Sequence, residues 1–380
     1  MPSGTARRAH TKSRGGCTLC KAKKVKCDEK RPCSYCAKKL LRCSLDDEAS
    51  EATTLSPPSA SRPESSTESS RCFAFADFAL FRHFIKSTAV AHADDHDCVM
   101  IWSEIVADLA AQYPFLLHEL LALSALHSRL ACPERAESLE QVAAEHQGRA
   151  IPLFRDAIVS SRQGDEALAL FACSCLIVPY HFAAAKDPLS LLLNEETKSS
   201  AEWLVLIEGT AAITNANSPA IMRSALRPLL GKLIPLNLDI ISDSAADREL
   251  CLLKGRIPVA PEHRDEYVKL IDTLRFNYTI SDLAETVIDR KNSALRWPPL
   301  MSRQVKEQLG SKESGALILM AFWLVLLHRI EDRWWLKGKV APIVAKISKL
   351  LTPEHRKLIT YPMEQVSLGL VVAENPRAAN

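Results

Sequence analysis

Six cysteines in a short stretch near the N-terminus constrain this chain more than any other feature. They follow the spacing C-x2-C-x6-C-x5-C-x2-C-x6-C, through Cys17, Cys20, Cys27, Cys33, Cys36 and Cys43. The segments CTLCKAKKVKC and CSYCAKKLLRC form an internal repeat with an offset of 16 residues. A segment this short buries too little apolar surface to fold alone, so we expect bound metal to supply its folding free energy.

The cysteine count predicts how many metal ions bind. Tetrahedral zinc takes four ligands, so six thiolates satisfy two ions only if two thiolates bridge them. The repeat equates Cys17 with Cys33, which predicts these two as bridges and the other four cysteines as terminal ligands. A disulfide knot or a single zinc site is the alternative. The N-terminus lacks the apolar core of a secretory signal, so we expect a reducing compartment, which disfavours disulfides.

Charge divides the chain into two parts of opposite sign. Residues 1–45 carry 13 lysines and arginines against Asp28 and Glu29, whereas the remainder carries 35 basic and 43 acidic residues. A basic segment next to a metal module suits a polyanionic partner. The same basic residues fit a nuclear import signal, so the nucleus is the predicted location.

The two halves of the repeat differ in their lysines. The first half carries Lys21, Lys23, Lys24 and Lys26, whereas the second places Leu40 and Leu41 opposite Lys24 and Val25. We therefore expect the first helix to enter the major groove of double-stranded DNA, where lysine donates to guanine O6 and N7 while its neighbours neutralise phosphates. A solvated lysine face is the plainer alternative. The predicted DNA-binding residues are Lys24, Lys23, Lys21, Lys26 and Arg14.

The segment GGCTLCKAKKVKCDEKRPCSYCAKKLLRC resembles the DNA-binding module of the fungal binuclear zinc-cluster transcription factors. The resemblance implies a sequence-specific regulator of RNA polymerase II genes, with two zinc ions as cofactors. Within C-x-x-C-x-x-K-K-x-K-C it implies that Lys24 makes the main base contact and that Lys23 supports it. It also implies that the turn containing Pro32 joins the two halves.

The rest of the chain predicts a linker and a helical domain. Residues 46–70 are rich in Ser, Pro, Glu and Thr, which is typical of a disordered linker. Residues 71–375 show apolar residues at helical spacing and predict a large all-α regulatory domain. The predicted domains are thus 1–45, 46–70 and 71–375. The predicted helices are 73–93, 99–113, 115–131, 134–162, 165–186, 201–215, 218–230, 245–254, 261–276, 280–291, 302–309, 313–335, 339–351 and 353–358.

The helical region resembles the regulatory domain of sterol-uptake-control regulators. The resemblance is carried by PFLLHELLALSALH, ALFACSCLIVPYHFA, EWLVLIEG and AFWLVLLHRIEDRWWLKG. It implies an all-helical fold, and in those regulators the domain binds ergosterol. Two functions follow: a DNA-binding regulator of sterol or secondary metabolism, or a receptor-type regulator whose helical domain binds an apolar ligand.

Other features favour structure over chemistry. The sequence carries no phosphate loop, nucleophile elbow or carboxylate constellation, so an enzyme is not expected. The apolar runs 168–185 and 316–327 are interpreted as core helices, so no membrane partner is expected. Asp94, Asp95 or Asp97 is expected to cap a helix that begins near Val99. No heptad follows Cys43, which leaves a homodimer open through the helical domain. The cysteines outside the repeat are expected to be buried thiols. Trp323, Trp334 and Trp335 are expected to pack in the core, with the lining of a pocket as the alternative.

Overall fold

The computed structural model describes residues 15–39, 43–45, 73–160, 164–194 and 199–374. The chain forms two compact units, residues 1–72 and 73–380. The predicted linker 46–70 and Arg14 lie outside the described residues, and the three predicted domain boundaries stay predictions.

Two short helices form the framework of the first unit. Helix α1 spans Thr18–Ala22 and helix α2 spans Ser34–Lys38, and each starts directly after a cysteine, Cys17 or Cys33. Both helices therefore begin at equivalent positions of the sequence repeat. Because each has a single turn, neither is stable by itself, and the cysteine cluster must hold them.

The second unit is helical. Its helices are α3 (Phe75–His83), α4 (Ala89–His92), α5 (His96–Met100), α6 (Val106–Gln112), α7 (Pro114–Ser128), α8 (Ala136–Ser160), α9 (Asp165–Ala184), α10 (Glu202–Met222), α11 (Ala245–Arg256), α12 (Arg264–Asp282), α13 (Val287–Leu295), α14 (Arg303–Gly310), α15 (Ser314–His328), α16 (Val340–Leu350), α17 (Pro353–Arg356) and α18 (Thr360–Glu374). Two π-helical turns, Phe84–Thr88 and Ile101–Ile105, continue α3 into α4 and α5 into α6. Strand structure among the described residues is one two-residue antiparallel pair, Leu193–Asn194 with Ser199–Ser200. The predicted all-α architecture is confirmed.

The core is built around helices that are apolar on every face. Helix α15 has the sequence SGALILMAFWLVLLH and is buried from Gly315 to Leu327, as expected for a helix without a polar side. It packs against α12, α13, α16 and α18, while α7 packs against α8 and α9. Helix α10 packs against α9, and its Trp203 stacks on Trp323 of α15 with ring centroids 5.6 Å apart. The helices around α7 and those around α15 therefore belong to one core. Gly315 permits a close approach, because a Cβ there would lie 2.5 Å from a methyl group of Val259.

Several predicted helix boundaries are wrong. The segments 201–215 and 218–230 were expected as two helices, but α10 continues through Pro219 and ends at Met222. A proline this close to a helix end removes one backbone donor without splitting the helix. The predicted helix 280–291 is also wrong, because α12 extends to Asp282 and α13 starts afresh where the Thr286 hydroxyl accepts the Asp289 N–H at 3.2 Å. Helix α18 lies beyond the last predicted helix.

The apolar runs belong to the core. Helix α9 is long and apolar enough to cross a membrane, as are α14 and α15 if that pair, bent by 100°, is counted as one span. However, 78% of the most apolar stretch of α9 is buried inside the fold. This burial agrees with the interpretation of α9 as a core helix.

Local predictions fare differently. Asp95 caps α5, since its carboxylate accepts the Cys98 N–H at 2.7 Å, which confirms the predicted cap. Cys98 and Cys173 are buried thiols as expected. The expectation is wrong for Cys251, which is exposed because it lies on the outward face of the amphipathic helix α11.

Candidate zinc centre, nucleic-acid interface and cavity

The six cysteine sulfurs come together in the first unit, and all six residues are buried. The sulfur of Cys17 lies 3.8 Å from that of Cys33 and 3.7 Å from that of Cys36, and the sulfurs of Cys20 and Cys33 are 3.7 Å apart. Those four sulfurs all lie within 4.8 Å of one another. Tetrahedral zinc with Zn–S bonds of about 2.3 Å holds its sulfurs about 3.8 Å apart, so the donor set fits zinc.

The centre has an approximate two-fold arrangement that matches the repeat. The Cys17 N–H donates to the sulfur of Cys27 at 3.4 Å, and the Cys33 N–H donates to the sulfur of Cys43 at 3.3 Å. Each first cysteine of a half thus holds the last cysteine of the same half. Cys17 and Cys33 consequently occupy equivalent central positions, as the repeat predicts.

A second pair of hydrogen bonds links the two halves, and sequence reasoning missed it. Asp28 Oδ1 accepts the Ser34 N–H at 3.0 Å, and Ser44 Oγ accepts the Thr18 N–H at 3.0 Å. The residue after the last cysteine of each half therefore caps the helix of the other half. The Ser34 hydrogen bonds also lower the pKa of Asp28. Their equivalent positions, directly after Cys27 and Cys43, are the signal that could have revealed them.

The cysteine pKa values respond to both hydrogen bonds and burial. The Cys20 N–H lowers the pKa of Cys17, and the Cys33 N–H lowers the pKa of Cys43. Burial raises the pKa of Cys20, and it raises that of Cys36 to about 12. Because thiolates are the zinc ligands, metal binding must displace the protons of Cys20 and Cys36, whose pKa values are raised.

Four lysines follow Cys20 on the exposed side of this centre. Lys21, Lys23, Lys24 and Lys26 are exposed, whereas Val25 is half-buried against the cysteines. The structure therefore brings four of the five predicted DNA-binding residues together on one short segment; the fifth, Arg14, is not described.

Lys24 has an unusual backbone conformation. Its φ of 52° lies in the left-handed region, directly after the α1 C-cap residue Lys23. The Lys24 N–H donates to the Lys21 carbonyl at 3.2 Å, and the Val25 N–H donates to the Cys20 carbonyl at 3.1 Å. These two bonds define a Schellman ending, in which glycine usually occupies the left-handed position. A residue with a Cβ is strained at this position, and Lys312 at the end of α14 shares the conformation with a φ of 60°.

The second unit contains a cavity of about 590 Å³. Its wall comes from α9, α10, α12, α13, the residues 229–236, and aromatic side chains that include Phe171, Phe276 and Trp335. This volume falls within the range of about 300–1,000 Å³ that is usual for small-molecule sites. Trp335 was expected to be a core residue, and it is buried in the core and also lines the cavity.

Three buried polar atoms of the cavity wall have no hydrogen-bond partner within the described part of the chain. They are His92 Nδ1, Trp102 Nε1 and Asn277 Oδ1, on residues that are at most 3% exposed. The rings of His92 and Trp102 meet edge to face with centroids 4.8 Å apart. Burial, helped by Lys291, holds the pKa of His92 well below its usual value, so the imidazole is neutral and can donate or accept.

Comparison with known proteins agrees with this geometry. Residues 15–52 match the fungal Zn(2)-Cys(6) binuclear cluster domain. The chain is 30% identical over 284 residues to a Zn(2)-C6 fungal-type transcription factor, afumD, of Aspergillus fumigatus, which covers 70% of each chain. It is 28% identical over 263 residues to sterol uptake control protein 2 of Candida albicans, covering 64% of this chain and 36% of that protein. The protein of the same name from Saccharomyces cerevisiae is 30% identical over 159 residues, or 40% of this chain and 16% of that protein.

These similarities define the class of the protein. The chain belongs to the Zn(2)-C6 fungal-type transcription factors. Its zinc-cluster domain binds two zinc ions, which confirms the predicted cofactor. This family consists of transcription factors rather than enzymes.

Proposed function

We propose that this protein is a sequence-specific DNA-binding regulator of RNA polymerase II genes that acts in the nucleus. The observation that carries the proposal is the group of four exposed lysines, Lys21, Lys23, Lys24 and Lys26, at the end of α1 beside the cysteine cluster. Lys24 donates to base edges in the major groove and Lys23 supports it, while Lys21, Lys26 and Arg14 neutralise phosphates.

The metal centre sets the position of these lysines. Cys17 and Cys33 would be the ligands shared by the two zinc ions, because the Cys17 sulfur lies near those of Cys33 and Cys36 and the Cys33 sulfur near those of Cys17 and Cys20. Cys20 and Cys27 would complete one site, and Cys36 and Cys43 the other. When bound, zinc supplies folding free energy. The protein side chains then fix α1 and expose its lysines.

Binding measurements on the zinc-loaded full chain test the DNA-binding role. Lys23 and Lys39 are the C-cap residues of α1 and α2, so they form a matched pair at equivalent positions of the repeat. After binding-site selection with the wild type, Lys23→Ala is expected to weaken binding to the selected duplex, whereas Lys39→Ala has a smaller effect. Equal losses for the two variants would remove the assignment of α1 as the recognition helix.

The regulated genes belong to a metabolic pathway, either sterol metabolism or secondary metabolism. The names of the sterol uptake control relatives support this assignment, although the matched regions span only 36% and 16% of those proteins. Genome-wide mapping of binding sites tests it. Binding sites without enrichment near genes of either pathway would contradict the proposal.

The cavity favours a second function, that of a receptor for an apolar ligand such as a sterol or lipid. A closed core needs no 590 Å³ cavity, and its wall carries apolar side chains such as Phe171, Ile207 and Phe276. Such a ligand adds about 2.7 kcal/mol of stability at a hundred times its dissociation constant. No thermal shift of the full chain across sterols and lipids, with no lipid in an organic extract, would leave partner binding as the better account of this domain.

A further inference from the structure

The charged groups on the cavity wall are almost all paired. Lys232 Nζ lies 2.6 Å from Glu285 Oε2, and Lys291 pairs with Asp94. Asp289 accepts the Lys232 N–H at 2.6 Å. These groups have their own partners in the protein, so none of them needs a charged ligand.

Arg296 is the exception among the described residues. It follows α13 directly, is half-buried and lines the cavity. Its Nη1 donates to the Ile234 carbonyl at 3.1 Å, and its guanidinium carbon lies 5.4 Å from the ring centroid of Phe276. No carboxylate of the described chain forms an ion pair with it, and burial alone lowers the pKa of the guanidinium. A guanidinium has five N–H donors, and the Ile234 carbonyl is the one acceptor that Arg296 has among the described residues, so further donors are available to a ligand.

Arg329 shows how an arginine at an aromatic ring is paired elsewhere in the same unit. Arg329 also lies over an aromatic ring, 5.0 Å from the centroid of Tyr278, but it donates to Asp282 at 2.6 Å and does not line the cavity. A half-buried cation without a counter-ion is costly, and a carboxylate is the group that an arginine fork fits best. The partner that Arg296 lacks in the protein is therefore one that a ligand can supply.

We propose that the cavity takes an apolar carboxylic acid of the long-chain fatty-acid class, with Arg296 as the counter-ion of its carboxylate. This inference rests on the proposed receptor function and narrows its ligand from apolar lipids in general to acids. The apolar wall, with side chains such as Phe171 and Ile207, contacts the hydrocarbon part of the ligand.

Titration calorimetry with the zinc-loaded full chain tests the proposal. The probes share one hydrocarbon chain: oleate, methyl oleate and oleyl alcohol, with further fatty acids of different length and with ergosterol for comparison. Wild-type protein is expected to bind oleate at least tenfold more tightly than the ester or the alcohol. Arg296→Gln is expected to weaken oleate binding about ten- to hundredfold, the usual cost of losing a charged hydrogen bond, and to leave the alcohol unchanged.

Arg329→Gln is the matched control, and it should retain the preference for the acid. Should Arg296→Gln fold poorly, the comparison of acid, ester and alcohol on the wild type still decides, with Arg296→Lys as a charge-retaining variant. Ergosterol or the alcohol binding as tightly as every acid would overturn the carboxylate assignment and leave the receptor function standing. Absence of binding by all probes would overturn both.

Discussion

The left-handed conformation of Lys24 allows stability and DNA affinity to be separated at one residue. A residue with a Cβ at this position of a Schellman ending costs about 1 kcal/mol relative to glycine. Lys24→Gly relieves that strain and removes the side chain. Lys24→Ala removes the side chain and keeps the strain, since φ stays near 52°.

The two substitutions therefore predict different results. Folding of this module is coupled to metal, so about 1 kcal/mol of relieved strain should raise apparent zinc affinity about fivefold for Lys24→Gly and not for Lys24→Ala. Loss of a base contact should cost both variants about 1–3 kcal/mol of affinity for the selected duplex, with a much smaller loss on random DNA.

Zinc affinity is measured by competition with a metal-sensitive chelating dye, and DNA affinity by fluorescence anisotropy at two salt concentrations. Lys26→Ala is the control, because Lys26 is exposed and has no left-handed backbone. It should weaken selected and random DNA alike and reduce the salt dependence. Unchanged zinc affinity in Lys24→Gly would refute the strain argument, and equal losses on both duplexes would assign Lys24 to the phosphate backbone.

Further predictions concern the metal centre, the core and one buried acid. Cys17→Ser should abolish binding of both zinc ions, whereas Cys43→Ser should retain one zinc ion. Native mass spectrometry counts the bound ions. Loss of the same number of zinc ions in the two variants would exclude the bridging role of Cys17. Gly315→Ala should destabilise the helical unit by about 1–3 kcal/mol in chemical denaturation. Gly209→Ala, which has open space around its Cβ, should stabilise it by about 0.5–1 kcal/mol. An unchanged free energy of unfolding in Gly315→Ala would contradict the close packing at this position. Burial raises the pKa of Glu119 from 4.5 to about 8. Between these two pH values the carboxyl group is ionised in the unfolded state and protonated in the folded state. The free energy of unfolding should therefore fall as pH rises through this interval, by at most about 1.4 kcal/mol per pH unit. Glu119→Gln should weaken this pH dependence. If the melting temperature of the variant depends on pH in the same way as that of the wild type, Glu119 is not a buried neutral acid.

The cysteine pattern made the zinc centre predictable, because ligand number and spacing limit the possible geometry strongly. The two-fold exchange between Cys17 and Cys33 follows from the repeat, and the structure reproduces it in matched hydrogen bonds. The caps by Asp28 and Ser44 were not predicted, since they join residues of different halves. Asp28 and Ser44 occupy equivalent positions of the repeat, but only the three-dimensional structure shows which helix each of them caps.

Helical periodicity predicted the class of the second unit but not its interruptions. Periodicity reports which side chains face the core, and it is silent when every face is buried, as in α15. Breaks then depend on single hydrogen bonds, such as the Thr286 cap that starts α13. A proline near a helix end, such as Pro219, is read as a break although the fold tolerates it.

The cavity lay beyond sequence reasoning because no single segment encodes it. Arg296 and Phe276 are twenty residues apart in sequence and belong to different helical segments, and Ile234 comes from an irregular segment between helices. From the sequence alone, Arg296 is an ordinary surface arginine, Phe276 a core aromatic residue and Ile234 a loop residue. Only their packing shows a guanidinium that faces an apolar space without a carboxylate. The ligand hypothesis therefore depends on tertiary structure, whereas the zinc and DNA hypotheses depend on local sequence, and one set of experiments can fail without weakening the other.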